Sequence, residues 1–404
     1  MKTIMVSLAA LLTSHFLSAQ NAAALIESGL AKDKAQDYKG AIVDLSKAIT
    51  LDPKNARAIL YRGIAEYYLD DSKAAMSDYN KAIELDPKYG EAYCNRGNLK
   101  VDLQDVEGAL SDYSKAIEID PGDMDSYYMR GIVNYETGKS KEALVDFNKV
   151  IELSPTNDFA YNYRGLVKGD LEDYTGAIAD YSKAVELNPK FKKGFFNRGN
   201  AKAKSGDNKG AVADYTAVLE LDPKDSSAYF NRAYVKDDLG DFKGAVADFT
   251  SAIELNPKSS KSYLNRGIAK AELGEVMGGM TDYNKAIELN PKNVQAYYVR
   301  GVARNSLADI RGAIADFNKA IEIDPSFTSA HLLLGVTKIE SLDFNGALTC
   351  FNKTIELDPS NGKAYYLRGL AVRVVEKKND GCADFRKAIE LGYEKAKEEI
   401  KKCK

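Results

Sequence analysis

Apolar residues recur along this chain at helical spacing, in clusters that repeat every 34 residues. Each unit can be numbered so that its proline falls at position 32. Apolar, small or aromatic side chains then occupy positions 4, 8 and 10 in the first half and 20, 21, 24, 27 and 28 in the second. Each half predicts a short amphipathic helix, A and then B. Turn residues such as Gly206-Asp207, Gly240-Asp241 and Asp173-Tyr174 separate the two near positions 15–17. The ten prolines run from Pro53, Pro87 and Pro121 to Pro359, each 34 residues from the next. A residue that stops helices, used at one interval and nowhere else, marks the end of a repeated unit.

Units begin at Ala22, Ala56, Gly90, Met124, Asp158, Lys192, Ser226, Ser260, Val294, Thr328 and Gly362. Position 8 is glycine except at Ala233, and position 20 is alanine except at Gly279 and Gly381. Position 24 is always large, as in Leu45, Tyr79, Tyr113, Phe147 and Phe385. Glycine inside a helix costs about 1 kcal/mol relative to alanine. Its recurrence at one position predicts close contact between A and B, with the ring at 24 filling the adjacent gap. Neither helix is long enough to stand alone in water, so each unit buries its apolar face by stacking on its neighbours.

These residues resemble the tetratricopeptide repeat, whose signature is an aromatic at 4, glycine at 8, alanine at 20, an aromatic at 24 and proline at 32. The match runs in one register from about residue 22 to 395. It implies an all-α fold, an α-α superhelix of about eleven helix-turn-helix units. Position 7 is mostly arginine and position 11 mostly lysine, a polar variant of the family pattern. The array is assigned to residues 20–395 and a capping helix to 396–404, where Tyr393, Ala396, Ile400 and Cys403 share one stripe. Local unfolding is expected to start at the ends. The tenth unit, with His331-Leu-Leu-Leu334, Cys350 and Thr354, departs most from its siblings.

The N-terminus differs in kind. Lys2, the apolar run Ile4–Leu12 and Leu17-Ser18-Ala19 have the layout of a secretory signal peptide over residues 1–19. Cleavage is expected after Ala19, with Ala22 or Ala23 as alternatives. The expected mature chain is exported, periplasmic or extracellular, and does not span a membrane. Charge changes the picture little: the net formal charge is −3, with both signs interspersed. That argues against a nucleic-acid partner, which needs a basic domain or stripe.

Candidate chemistry is sparse. The two histidines are His15, in the leader, and His331, at position 4 where an aromatic normally packs. No phosphate loop, histidine pair or cysteine pair at metal spacing occurs, so the chain is read as a non-enzyme without a cofactor. The resemblance implies a ligand surface on helix A, chiefly at positions 2, 5, 9, 12 and 13. Position 5 includes Tyr128, Phe196, Phe230, Leu264, Tyr298 and Tyr366, whose other reading is packing between adjacent A helices. Position 13 includes Asp102, Glu136, Asp170, Asp238, Glu272 and Glu340, an acidic line with Lys204 as the exception. Such a line favours a basic or amphipathic peptide, or is simply a solvated face. Of the family residues that clamp a terminal carboxylate, Asn200, Asn231 and Lys261 match, whereas Phe196 and Asn265 stand where cations are needed. Asn200, Asn231, Lys261 and Asn265 are the candidates for ligand hydrogen bonds. The reading is an exported protein–protein interaction scaffold. Its alternatives are an envelope-glycan or small-ligand binder and an assembly subunit acting through its outer surface.

Two contacts are expected within the fold. Arginine at 7 and aspartate at 23 lie equally far from the turn, so they face each other on antiparallel helices. Arg62/Asp78, Arg96/Asp112, Arg130/Asp146, Arg164/Asp180, Arg198/Asp214, Arg232/Asp248, Arg266/Asp282, Arg300/Asp316 and Arg368/Asp384 carry both, and the tenth unit loses both together, with Leu334 and Cys350. In an exported chain, Cys382 and Cys403 are expected to pair, leaving Cys94 and Cys350 free.

Overall fold

The computed structural model describes residues 20–375 and 381–403; the leader assigned to residues 1–19 lies outside them. Every regular element among the described residues is helical. The chain divides into two compact units, one ending at Ala201 and one beginning at Lys202.

The first unit stacks helical hairpins: α1 (20–34) with α2 (Tyr38–Leu51), α3 (Ala56–Tyr67) with α4 (Ser72–Leu85), and α5 (Gly90–Asp102) with α6 (Val106–Ile119). They continue as α7 (Met124–Glu136) with α8 (Ser140–Leu153) and α9 (Asp158–Asp170) with α10 (Tyr174–Leu187). The division falls within α11 (Lys192–Lys204). The second unit continues with α12 (Asn208–Leu221), then pairs α13 (Ser226–Asp238) with α14 (Phe242–Leu255) and α15 (Ser260–Glu272) with α16 (Val276–Leu289). It ends with α17 (Val294–Ser306) and α18 (Ile310–Ile323), α19 (Thr328–Glu340) and α20 (Phe344–Leu357), α21 (Gly362–Val375) and α22 (Cys382–Glu390), and α23 (Ala396–Ile400). Within each unit this is an all-α solenoid, with every hairpin packed on the next.

Helix A meets helix B at the glycine. A Cβ on Gly97 would lie 2.7 Å from the ring of Tyr113, and one on Gly335 would lie 2.5 Å from that of Phe351. The rings at position 24 are accordingly buried, with Tyr113, Phe147, Phe249 and Phe351 fully so. In the ten hairpins whose A–B turn is described, that turn has one left-handed residue, at position 15. It is glycine at Gly138, Gly206, Gly240 and Gly274, but an L-residue at Gln36, Asp70, Gln104, Glu172, Ala308 and Leu342, with φ between 59° and 65°. The aspartate that follows caps helix B, as where Asp37 Oδ1 accepts from the Gly40 N–H at 3.0 Å.

Arginine at 7 does more than span its own hairpin. In the eight pairs that lie within one unit it makes two bonds to the aspartate at 23, at 2.5–3.0 Å. Its third arm donates to position 25 of the preceding repeat, as from Arg96 Nη1 to Asn80 at 2.7 Å and from Arg300 Nη1 to Asn284 at 2.7 Å. Its flat face covers the ring at position 4, with Arg96 5.4 Å from Tyr93 and Arg368 5.3 Å from Tyr365. Position 11 adds a second cation to the same carboxylate, through Lys100, Lys168, Lys202, Lys236, Lys270 or Arg304. Where position 7 is Ser28, Asp44 keeps Lys32 at 2.6 Å and the Ser28 hydroxyl at 2.7 Å. Where the aspartate is Cys350, Lys338 pairs with Asp343 instead.

Two features depart from the pattern. Helical conformation in the tail is confined to Ala396–Ile400, shorter than the cap assigned to 396–404. Tyr393 lies before it, in the turn that follows the left-handed Gly392. Cys382 and Cys403 are disulfide-bonded, with Cα atoms 5.9 Å apart, and Cys94 and Cys350 are free and buried.

Arg130 is the sharpest place to test the ion pair, because Asp146 is 1% exposed and its other partner is the neutral Asn134 at 3.2 Å. Arg130→Leu should cost about 3 kcal/mol in urea denaturation, since it strands a buried carboxylate. Arg130→Leu/Asp146→Cys, which copies the Leu334/Cys350 pair, should recover most of that loss. An additive double variant would contradict this account.

Glu66 is the anion at position 11. Burial, then the Asp78 charge, push its carboxyl up to about 7, against the opposing pull of Arg62. The folded chain therefore holds a proton that the unfolded chain releases near pH 4.5, and stability falls as pH rises from there through 7. Glu66→Gln should remove that part of the slope and stabilise the protein at pH 8 by about 1–2 kcal/mol, after discounting for solvent screening. Denaturation midpoints across that pH range check it.

Candidate functional site

Successive A helices lie side by side and leave spaces between their outer faces. One such space in the first unit is a cavity of about 630 Å³ between α3, α5 and α7. Its walls include Glu91, Asn95 and Asn98 from α5 and Asp125 and Tyr128 from α7, with Lys88, Asp120 and Asp123 in the turns before those helices. Carboxylates thus outnumber cations in its lining by four to one. Several polar groups are already engaged. Glu91 accepts from the Tyr61 hydroxyl at 3.0 Å, and Asp123 caps α7 through the Ser126 N–H. Asn98 Oδ1 accepts from the Tyr113 hydroxyl at 2.8 Å, which turns its amide N–H groups outward as donors. Asn95 donates to the Glu91 carbonyl at 2.8 Å, which leaves its own oxygen as an acceptor. Cys94 also lines the wall; burial pushes its thiol up to about 12, so it is protonated and unreactive at neutral pH.

In the second unit a smaller cavity, about 200 Å³, lies between α13 and α15. It brings together Phe230, Asn231 and Lys261, along with Ser227, Asn256 and Ser262. Asn231 hydrogen-bonds Tyr215 from this edge, and Lys261 is exposed. Asn265 is not among the residues lining it; its amide donates to the Lys261 carbonyl of its own helix at 2.8 Å, as Asn95 does to Glu91. Phe196 and Asn200 are half-buried on α11.

Of the aromatics at position 5, Tyr128 and Tyr298 are wedges between hairpins. Tyr128 meets Phe147 at 6.2 Å and Tyr163 at 5.7 Å, both edge to face. Phe230 packs on Phe249 at 5.6 Å, and Tyr298 sits between Phe317 and Phe327 at 6.1 and 5.0 Å. Packing between adjacent A helices, the second reading given to position 5, is what the geometry supports for Tyr128 and Tyr298, whereas the Phe230 contact lies within its own hairpin. The acidic line is partly structural too. Asp102 accepts from the Tyr67 hydroxyl and Asp170 from that of Tyr135, each a tyrosine of the preceding repeat. His331 replaces an aromatic: it is 9% exposed, with Nε2 3.0 Å from the Pro325 carbonyl.

Glu91, Asn95, Asn98 and Asp125 were not singled out from the sequence. The signal was there at position 2, which reads Arg57, Glu91, Asp125 and Phe159 in successive repeats and so places two acids side by side. Among the described residues, no group of three or more histidine, cysteine or carboxylate side chains is placed to hold a metal ion. No helix among them is long and apolar enough to cross a membrane.

Family models described as TPR repeat match residues 63–104, 97–138 and 170–206, and models described as tetratricopeptide repeat match 196–260, 125–157 and 294–327. Together they span more than half of the 404 residues. Among solved structures, the C-terminal part of a TPR repeat-containing protein from Cytophaga hutchinsonii is 20% identical, covering 59% of this chain and 97% of its own, with a TM-score of 0.50. A tetratricopeptide repeat protein from Parabacteroides merdae is 20% identical over 61% of this chain and 98% of its own, with a TM-score of 0.46. YrrB, described as a TPR protein with an unusual peptide-binding site, is 28% identical over 46% of this chain and 95% of its own, with a TM-score of 0.42. No curated protein matches the chain.

Two substitutions separate scaffold from surface in the larger cavity. Tyr128→Ala should lower stability by about 2 kcal/mol, because it removes a half-buried ring from an aromatic cluster. Asp125→Asn, which alters an exposed carboxylate, should change stability by less than about 0.5 kcal/mol. Urea denaturation of both variants decides the assignment.

Proposed function

Since the chain belongs to the tetratricopeptide repeat proteins, we propose that it is a non-enzymatic interaction scaffold, exported from the cell, that holds an extended or helical partner segment along its A-helix face. The observation that carries this reading is the cavity between α3, α5 and α7. It is large enough for several side chains, it is lined by carboxylates and outward-facing amides, and rigid helices hold it open. Four carboxylates against one lysine favour a partner segment bearing lysine or arginine. Export is supported by the charged, apolar and small-residue order of residues 1–19 and by a disulfide at the other end of the chain.

The test is titration of the chain lacking residues 1–19 with labelled peptides of about a dozen residues, either lysine-rich or glutamate-rich. The cationic peptide should bind, more weakly as salt rises, and Glu91→Lys/Asp125→Lys should weaken it by about tenfold or more. Equal affinity in the variant would remove the cavity from the reading. Retention of envelope glycan with no peptide binding would favour the glycan-binding alternative.

A further inference from the structure

The C-terminal tail does not simply end the stack. It imitates the start of another repeat. In the interior, the residue at position 34 turns the chain and the alanine at position 3 packs against the preceding helix B. There the Ala92 N–H donates to the Tyr89 carbonyl at 3.1 Å and that of Ala330 to the Phe327 carbonyl at 3.0 Å. The tail repeats this, with the Ala396 N–H donating to the Tyr393 carbonyl at 3.1 Å. Its ring contact repeats as well: Tyr366 lies 5.1 Å from Tyr393, as Tyr298 lies 5.0 Å from Phe327. In this register Ala396 stands for position 3 and Cys403 for position 10, and α23 is a helix A cut to five residues.

Positions 3 and 10 are buried in every helix A from α3 to α21. In α1 the same positions are Ala24 and Ala31, and both are exposed. The first helix therefore presents the face that an interior helix A buries, and the tail covers the surface that such a face fits. We propose that the surface of α21 and α22 is a docking site for α1 of a second copy of this chain, kept closed while Cys382 and Cys403 are bonded.

The physical case rests on competition. A tethered cap occupies its site at high effective concentration and excludes a free rival. Yet α23 is too short to hold helical structure alone, and only Ala396 of its five residues is buried. Its other ties include the Arg373–Glu399 ion pair at 2.6 Å, the Tyr366–Tyr393 contact and the packing of Ile400 on the Phe385–Ala388 cluster. The disulfide is what makes the cap permanent. Reduction by a dithiol transfers two electrons and two protons: the S–S bond breaks, two cysteine thiols form, and the reductant closes its own disulfide. A full helix A can then displace a five-residue one. Because the two surfaces differ, the contact is heterologous and association proceeds head to tail.

The experiment is sedimentation velocity on the chain lacking residues 1–19, oxidised and in dithiothreitol, with hydrogen exchange read at α23. The oxidised chain should stay monomeric over the concentration range. Reduced chain, and Cys403→Ser without reductant, should lose protection at α23 and associate with increasing concentration, by about tenfold or more over the oxidised chain. Ala24→Arg alters an exposed position and should leave the melting temperature unchanged while abolishing association in the Cys403→Ser background. A reduced chain that keeps α23 protected, or that exposes it and remains monomeric, would overturn the proposal. Association that survives both Ala24→Arg and Ala31→Arg would overturn α1 as the occupant.

Discussion

A guanidinium held by two neighbouring repeats is the interaction on which the stack depends. A hairpin of two short helices cannot bury its own apolar face, so its geometry must be fixed from outside. The arginine at 7 does this with one planar group. Two of its N–H groups fix the height of helix A against helix B, a third reaches back to position 25 of the previous repeat, and the ring at position 4 supports its face. Such a group is costly to desolvate, and the added cation at position 11 offsets the carboxylate's side of that cost. The tenth unit shows the other solution. With Leu334 and Cys350 it replaces both charges by apolar groups, so nothing is left unpaired.

The surface proposed for binding inherits its geometry from this arrangement. Residues that look available on helix A serve two purposes. The rings of Tyr128 and Tyr298 set the spacing between repeats, and that of Phe230 packs within its own hairpin, while short polar side chains lie around them. Spaces such as the one between α3, α5 and α7 exist because bulky wedges alternate with small or polar residues at neighbouring positions. A surface built this way changes specificity by exchanging polar residues, with little consequence for the stack.

Much of this was legible in the sequence, for a physical reason. Contacts within a hairpin have a fixed sequence separation, so Gly97 against Tyr113 or Arg96 against Asp112 can be inferred from spacing and helix rise alone. Contacts between hairpins depend on how far one rotates over the next, and the period does not encode that. The bond from Arg96 to Asn80, the tie from Tyr67 to Asp102 and the cavity beside Glu91 all belong to this second kind. The tail was read too regularly. Its apolar stripe suggests a full helix, whereas among the described residues only Ala396–Ile400 wind, after the left-handed Gly392.

The left-handed turn at position 15 has a consequence of another order. Six of the ten described turns place an L-residue where glycine would be relaxed, at a cost of about 1–2 kcal/mol each. None of these side chains is needed to form the turn, since the sibling repeats make it with glycine. The chain thus carries conformational tension at six separate joints, in the repeats at either end of the run Gly206, Gly240 and Gly274, where the turn is relaxed. It works like a set of identical adjusting screws: evolution, or an engineer, can stiffen or loosen a chosen joint there without disturbing the groove or the ion pairs.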